Sequence, residues 1–332
     1  MKRSGARGKG SAAKVRFAVI GQGHFAQTTI LPAFANARRA QLAAIFSDEA
    51  SKLAALRRRY GVEHALPCGE LDEFLRSGAV EAIYIALPND LHAEFTERAA
   101  AAGVHVLCEK PMASSSAHAQ RMMAACARAR VKLMIAYRLH FDQANMAAVE
   151  ILKSGKIGDP RYLSAIFSQQ VTRAGDSRFR EIDEQVSALL KFPGDRLAQI
   201  TCSFGAADVA ACTVLGTKGR LRLDPAFDLS DLSLEVEIGG KTRRKTWKAH
   251  DQIAPELDEL AACIREGRDP EPSGREGLAD LRVIEAIEAS ARSGTRVAVA
   301  RVFPETRPSM RVARRARATR ESPGVHVQPP SQ

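Results

Sequence analysis

"VRFAVIGQGHFA", residues Val15 to Ala26, carries the pattern on which the fold turns. An apolar run of strand length passes directly into Gly21, Gly23 and Ala26, spaced as G-x-G-x-x-[GA]. The first glycine permits a tight turn, and the second lets the backbone approach a pyrophosphate. The small third residue allows a helix to pack closely on the strand, with its N-terminus facing the diphosphate. Glycines also occur in plain turns, so the flanking segments decide the reading.

Those segments alternate. "QLAAIF" (Gln41 to Phe46), "AIYIAL" (Ala82 to Leu87), "HVLC" (His105 to Cys108) and "VKLMIAY" (Val131 to Tyr137) read as strands. Helical periodicity runs over Phe25–Ala37, Glu49–Tyr60, His92–Ala102 and Ser115–Arg130. Strand and helix in turn predict βαβ units, hence a doubly wound parallel α/β sheet over residues 15–140. From 141 to 301 the pattern changes. "RYLSAIFSQQV", "EQVSALLKF", "LAQITCSF" and "DLSLEVEI" alternate in period two, with "PGDR" and "GTKGR" as turns. Helical patterns follow at Ile253–Arg265 and Ser273–Arg292, the second opened by Ser273 and Glu276 as a capping box. "TRVAVA" (Thr295 to Ala300) reads as a last strand. The expectation is an α+β second domain with a mainly antiparallel sheet, serving substrate binding or oligomerisation.

The formal net charge is +11, but its placement matters more than its size. Lys2, Arg3, Arg7, Lys9 and Lys14 stand without an acid in residues 1–14, and six arginines against Glu305 and Glu321 follow Val302. The body between them is nearly neutral, so the basic balance describes two tails, 1–14 and 302–332, expected to be disordered, rather than a nucleic-acid-binding face. No apolar run suits a membrane span or a secretory signal. The six cysteines lack C-x-x-C spacing and nearby paired histidines, which points to reduced thiols in a cytoplasmic protein and to no metal site.

"LPNDLH" (Leu87 to His92) and "CEKP" (Cys108 to Pro111) end two of the strands, at the carboxyl edge where open α/β sheets bind ligands. After the second strand, "FSDEASK" offers two sets of groups. Asp48 suits the ribose hydroxyls of NAD or the cap of the next helix, whereas Ser47 and Lys52 suit the phosphate of NADP. NADP is the preferred cofactor and NAD the alternative.

The glycine fingerprint, P-N-x-x-H and E-K-P, in this order, resemble the Gfo/Idh/MocA oxidoreductases from about Val15 to Val299. The resemblance implies hydride transfer between NAD(P) and a sugar, polyol or related hydroxy compound, with Lys110 as the catalytic group. It implies a cofactor site of Gly21, Gly23, Phe25, Ala26, Ser47, Lys52, Leu87, Pro88, Asn89, His92, Glu109, Lys110 and Pro111. Lys110, Tyr137 and Arg138 would face the substrate, and a homo-oligomer is possible. His92 as a plain helix start and Tyr137 as a core aromatic are the alternatives at those positions.

One family element is not found. Relatives carry D-[IV]-G-x-[HY]-x-x-[ND] on a helix of the second domain, which completes the substrate site. Between Gln169 and Glu184 stands only "QVTRAGDSRFREIDE". The domain is read as shortened near 172–180, so the alternative function is a nucleotide-binding but catalytically impaired member. His140 and Tyr162 are substitutes in principle. A shortened domain is also expected to expose apolar sheet surface.

Overall fold

A computed structural model of the chain describes residues 13–170, 183–302, 308–313, 316–319 and 322–327. The opening apolar run forms β1 (Val15–Ile20), at the centre of a six-stranded sheet. β2 (Ala40–Phe46) and β4 (Ala82–Ile85) flank it, β3 (His64–Leu66) closes one edge, and β5 (His105–Cys108) and β6 (Leu133–Ile135) extend the other. All pairings are parallel, in the order β3-β2-β1-β4-β5-β6. The strands read as continuous apolar runs because both faces are covered. On β1, Ala18 and Ile20 enter one apolar layer and Val15, Phe17 and Val19 the other.

The first layer is covered by α3 (Leu71–Arg76), α4 (His92–Ala101) and α5 (Ser116–Ala129). The second is covered by a π-helical turn (Ala26–Ile30), α1 (Leu31–Ala33) and α2 (Ala50–Tyr60). The strand order reverses between β1 and β4, which opens a crevice at their carboxyl ends.

Asp142 caps α6 (Gln143–Lys153) through the Asn145 N–H at 2.7 Å, and the chain enters a seven-stranded sheet. Its strands are β7 (Pro160–Ser168), β8 (Gln185–Phe192), β9 (Arg196–Ser203), β10 (Val209–Gly216), β11 (Gly219–Leu223), β12 (Leu232–Ile238) and β13 (Lys241–Trp247). The order is β13-β12-β11-β10-β7-β9-β8, antiparallel except for β7 with β9. Leu163, Val214, Leu221 and Val236 align across it in one row beneath Ala144 and Ala148 of α6. On the opposite face Tyr162 lies beside Leu215 and Leu197, and Ile166, Leu189, Leu197 and Leu215 are exposed, Leu189 by 68%. The stretch read as shortened, near 172–180, lies outside the described residues.

Four details differ from the sequence reading. Thr295–Ala300 forms no strand, because it finds no sheet edge to pair with. Glu276 does not close a capping box; its carboxylate lies 3.0 Å from His140 Nε2, an ion-pair partner that a helix end in water would not offer. The helices α7 (Ile253–Glu266) and α8 (Gly274–Ser293), assigned to the second domain, bury their apolar faces on the first. Ile253, Leu257 and Leu260 join one layer of the parallel sheet, and Leu278 and Leu281 the other. Finally, described parts of 302–332 are ordered against the body. Val312 is buried, and the Thr319 hydroxyl donates to Asp251 at 2.6 Å.

Candidate active site

Gly21 leaves β1 with φ +90°, and a Cβ there would lie 2.5 Å from the Ala86 carbonyl oxygen at the end of β4. Only glycine allows this approach of two strand ends. Gly23 is the reverse case, exposed and with nothing within 4 Å of a notional Cβ, so its open side can receive a ligand. Ala26 is buried in the layer under β1, as the third position of the fingerprint requires, and Phe25 packs partly into the same layer. Gln22 donates to the Val19 carbonyl at 2.9 Å and fixes the loop. His24 Nδ1 is buried there without a hydrogen-bond partner. An open glycine backbone and an unsatisfied imidazole nitrogen at a helix start fit a diphosphate.

At the end of β2, Ser47 accepts the Glu49 N–H at 3.3 Å. Lys52 Nζ lies 2.9 Å from a Glu49 carboxylate oxygen, which holds that carboxyl below its ordinary value. Asp48 does not cap α2, whose N-cap position is Glu49; its Oδ1 accepts the Cys68 N–H at 2.9 Å and ties β2 to the turn after β3.

The two remaining motifs meet at the ends of the adjacent strands β4 and β5. Backbone bonds from Ala86 N to Ile20 O (2.8 Å) and from Glu109 N to Ile85 O (3.0 Å) align the ends of β1, β4 and β5. Pro88 and Asn89 are exposed and open a short 3₁₀ turn (Asn89–Leu91) leading to α4. His92 is fully buried, with Nε2 2.9 Å from the Leu87 carbonyl and Nδ1 3.0 Å from the Pro111 carbonyl. It begins a helix and also staples P-N-x-x-H to E-K-P. Lys110 is exposed beyond a cis Lys110–Pro111 bond, and its N–H donates to Glu109 at 3.1 Å.

Behind Lys110 lies a polar core that motif reading missed. The Tyr84 hydroxyl, on fully buried β4, donates to Glu109 Oε1 at 2.8 Å and lies 3.4 Å from Glu256 Oε1. Burial raises both carboxyls, that of Glu256 strongly, with the charge on Glu109 raising it further. Glu256 is 172 residues from Tyr84, and only the return of α7 brings it there. No local sequence signal reports such a pair.

Tyr137 is half-buried; burial, with Asp280, pushes its hydroxyl well above the ordinary range. The Arg138 guanidinium donates to Gln252 Oε1 and to the Phe227 and Asp228 carbonyls. It pins the second domain's 224–231 loop to β6. His140 is 8% exposed, 3.0 Å from Glu276 and 3.8 Å from Glu271. Its imidazolium is thereby occupied. Tyr162 bonds Gln199 at 2.7 Å on the outer sheet face. Among the described residues no cluster of three or more His, Cys, Asp or Glu side chains could hold a metal ion. No helix there is long and apolar enough to cross a membrane.

Comparison with known proteins agrees with this geometry. The model of an oxidoreductase family with an NAD-binding Rossmann fold matches residues 15–137. The model of that family's C-terminal alpha/beta domain matches residues 103–299. D-xylose 1-dehydrogenase [NADP(+)] of Haloarcula marismortui is 27% identical, over 85% of this chain and 92% of its own. A dTDP-3,4-didehydro-2,6-dideoxy-alpha-D-glucose 3-reductase of Streptomyces violaceoruber is 28% identical, over 83% and 94%. The crystal structure of aldose-aldose oxidoreductase from Caulobacter crescentus, complexed with glycerol, superposes with a TM-score of 0.79 at 30% identity, covering 85% of this chain and 98% of that one. With both halves of the family pattern matched and the strand ends of the parallel sheet carrying its motifs, the chain belongs to the Gfo/Idh/MocA oxidoreductase family.

Proposed function

We propose that the chain is an NADP-dependent oxidoreductase that moves a hydride between the nicotinamide and a hydroxyl-bearing carbon of a sugar or polyol. The observation that carries this reading is the His92 staple. It ties the turn that carries Lys110 to the end of β4, through the Pro111 and Leu87 carbonyls, and supports a role for both motifs in one site.

The cofactor would supply the hydride acceptor; the chain supplies position and charge. Gly21, Gly23 and Ala26 would seat the diphosphate, and Ser47 and Lys52 the phosphate on the adenosine ribose. Leu87, Pro88, Asn89 and Pro111 would border the nicotinamide, with His92 and Glu109 fixing their loops from behind. As the substrate C–H bond gives up its hydride, the hydroxyl oxygen gains negative charge, and the Lys110 ammonium would stabilise it. Tyr137 would bound the substrate pocket. Sugar chemistry is supported by the relatives' named activities, xylose dehydrogenase and aldose-aldose oxidoreductase among them.

Fluorescence titration with NADPH and NADH, followed by turnover on a panel of aldoses and polyols, tests the reading. Lys110→Ala is expected to keep NADPH binding and to lower kcat about 10²-fold to 10⁴-fold. Binding without Lys110-dependent turnover would instead assign a nucleotide-binding, catalytically silent member, and absence of binding would sink both.

A further inference from the structure

We propose that the C-terminal segment 322–327 completes the cofactor site, with His326 acting beside Lys52 as a second nitrogen ligand for the phosphate on the adenosine ribose of NADP. The family model ends at residue 299, so this segment is an addition to the shared fold. The inference rests on the NADP reading above.

Three contacts seat the segment between the helix after the glycine loop and α2. The fully buried Gln27 side chain pairs with the Val325 backbone in both directions, donating to its carbonyl at 3.1 Å and accepting its N–H at 2.7 Å. Val325 also packs against the apolar layer beneath β1. Arg59 donates to the Ser322 hydroxyl at 3.2 Å and to the Pro323 carbonyl. This is the register of a docked strap, since a buried amide satisfied by one specific backbone pair does not tolerate sliding.

The strap ends where the phosphate would lie. His326 Nδ1 stands 2.7 Å from Glu49 Oε1 and 3.2 Å from the Ser51 hydroxyl. Lys52 Nζ stands 2.9 Å from the other oxygen of the same carboxylate. Two nitrogen groups thus converge on one anionic group, with Ser47 and Ser51 hydroxyls alongside. A phosphate carries up to two negative charges and needs several donors. Lys52 supplies one such donor, and His326 brings a second nitrogen to the same place. Glu49 occupies the N-cap position of α2 without a side-chain cap bond and is 42% exposed, so its carboxylate is free to swing aside. In this arrangement it stands in for the anion that replaces it.

The test uses the full chain and reads nucleotide affinity, not turnover. His326→Ala is expected to weaken NADPH binding about fivefold and to leave NADH unchanged, with His326→Lys restoring it. Deleting residues 322–332 should reproduce the alanine effect. Equal weakening of both nucleotides by His326→Ala would make the strap mere packing and overturn the proposal. So would an unchanged NADPH affinity. Lys52→Ala separates the two ideas: if it alone discriminates against NADPH, the strap falls and the NADP reading stands, and if neither variant discriminates, both fall.

Discussion

His140 and Glu256 show how one buried ionisable group differs from another only by its company. Burial alone would lower the His140 value, but the carboxylates of Glu271 and Glu276 outweigh it and raise the value from an ordinary 6.5 to about 9. The Tyr137 ring stacks at 6.3 Å, and Asp280 adds a further acidic neighbour. A histidine whose folded value is raised contributes stability in full below the unfolded value, and that contribution is lost as pH rises through the folded value. His140→Gln is therefore expected to cost roughly 2–3 kcal/mol at pH 6 and little above pH 10, read by urea unfolding across that range. A cost that does not change with pH would mean the cluster acts by packing alone. At Glu256 burial, aided by the charge on Glu109, outweighs the Arg138 charge and holds the carboxyl well above its ordinary range beside Tyr84.

At the scale of elements, the two glycines of the first loop do different work. Gly21→Ala would place a methyl 2.5 Å from the Ala86 carbonyl at φ +90°, so β1 and β4 must part. The expected loss is about 1–3 kcal/mol of stability together with loss of NADPH binding. Gly23→Ala meets open space, so thermal unfolding should be unchanged while NADPH affinity falls about tenfold from the methyl in the diphosphate's place. Equal melting temperatures for the two variants would contradict this division. The same distinction explains what the sequence showed. β1, β4 and β5 were legible because strands buried on both faces are apolar throughout, and Gly21, His92 and Lys110 because motifs are local. β13 was not, since six of its seven residues are exposed and "KTRRKTW" holds only by pairing with β12. β3 has three half-buried residues at a sheet edge, and α3 spans six residues, too short for a period to emerge. In the site, Tyr84 with Glu256 and His140 with Glu271 and Glu276 join residues more than 130 apart, and no pattern in either segment points to the other.

At the scale of the molecule, the chain visits the parallel sheet, leaves for the second sheet and returns to finish the first. Ile253, Leu257 and Leu260 of α7 are at most 2% exposed in the layer beneath β1. Asp258 accepts the N–H groups of Arg38 and Arg39 at 2.9 and 2.6 Å just before β2, and the Pro272 carbonyl accepts the Ile135 N–H at 3.2 Å at β6. Each of the three side chains contributes roughly 1.5–3 kcal/mol on burial, against a typical net stability of about 5–15 kcal/mol for a whole domain. The parallel sheet of the first 140 residues is therefore covered in part by helices that follow the second sheet in the chain. A fragment ending at Asp142 is expected to show no cooperative thermal transition, to bind a hydrophobic dye and to lose NADPH affinity, whereas the full chain melts cooperatively. If the fragment instead melts in one sharp transition and binds NADPH as the full chain does, α7 and α8 are accessories and the cofactor site is independent of the chain's return.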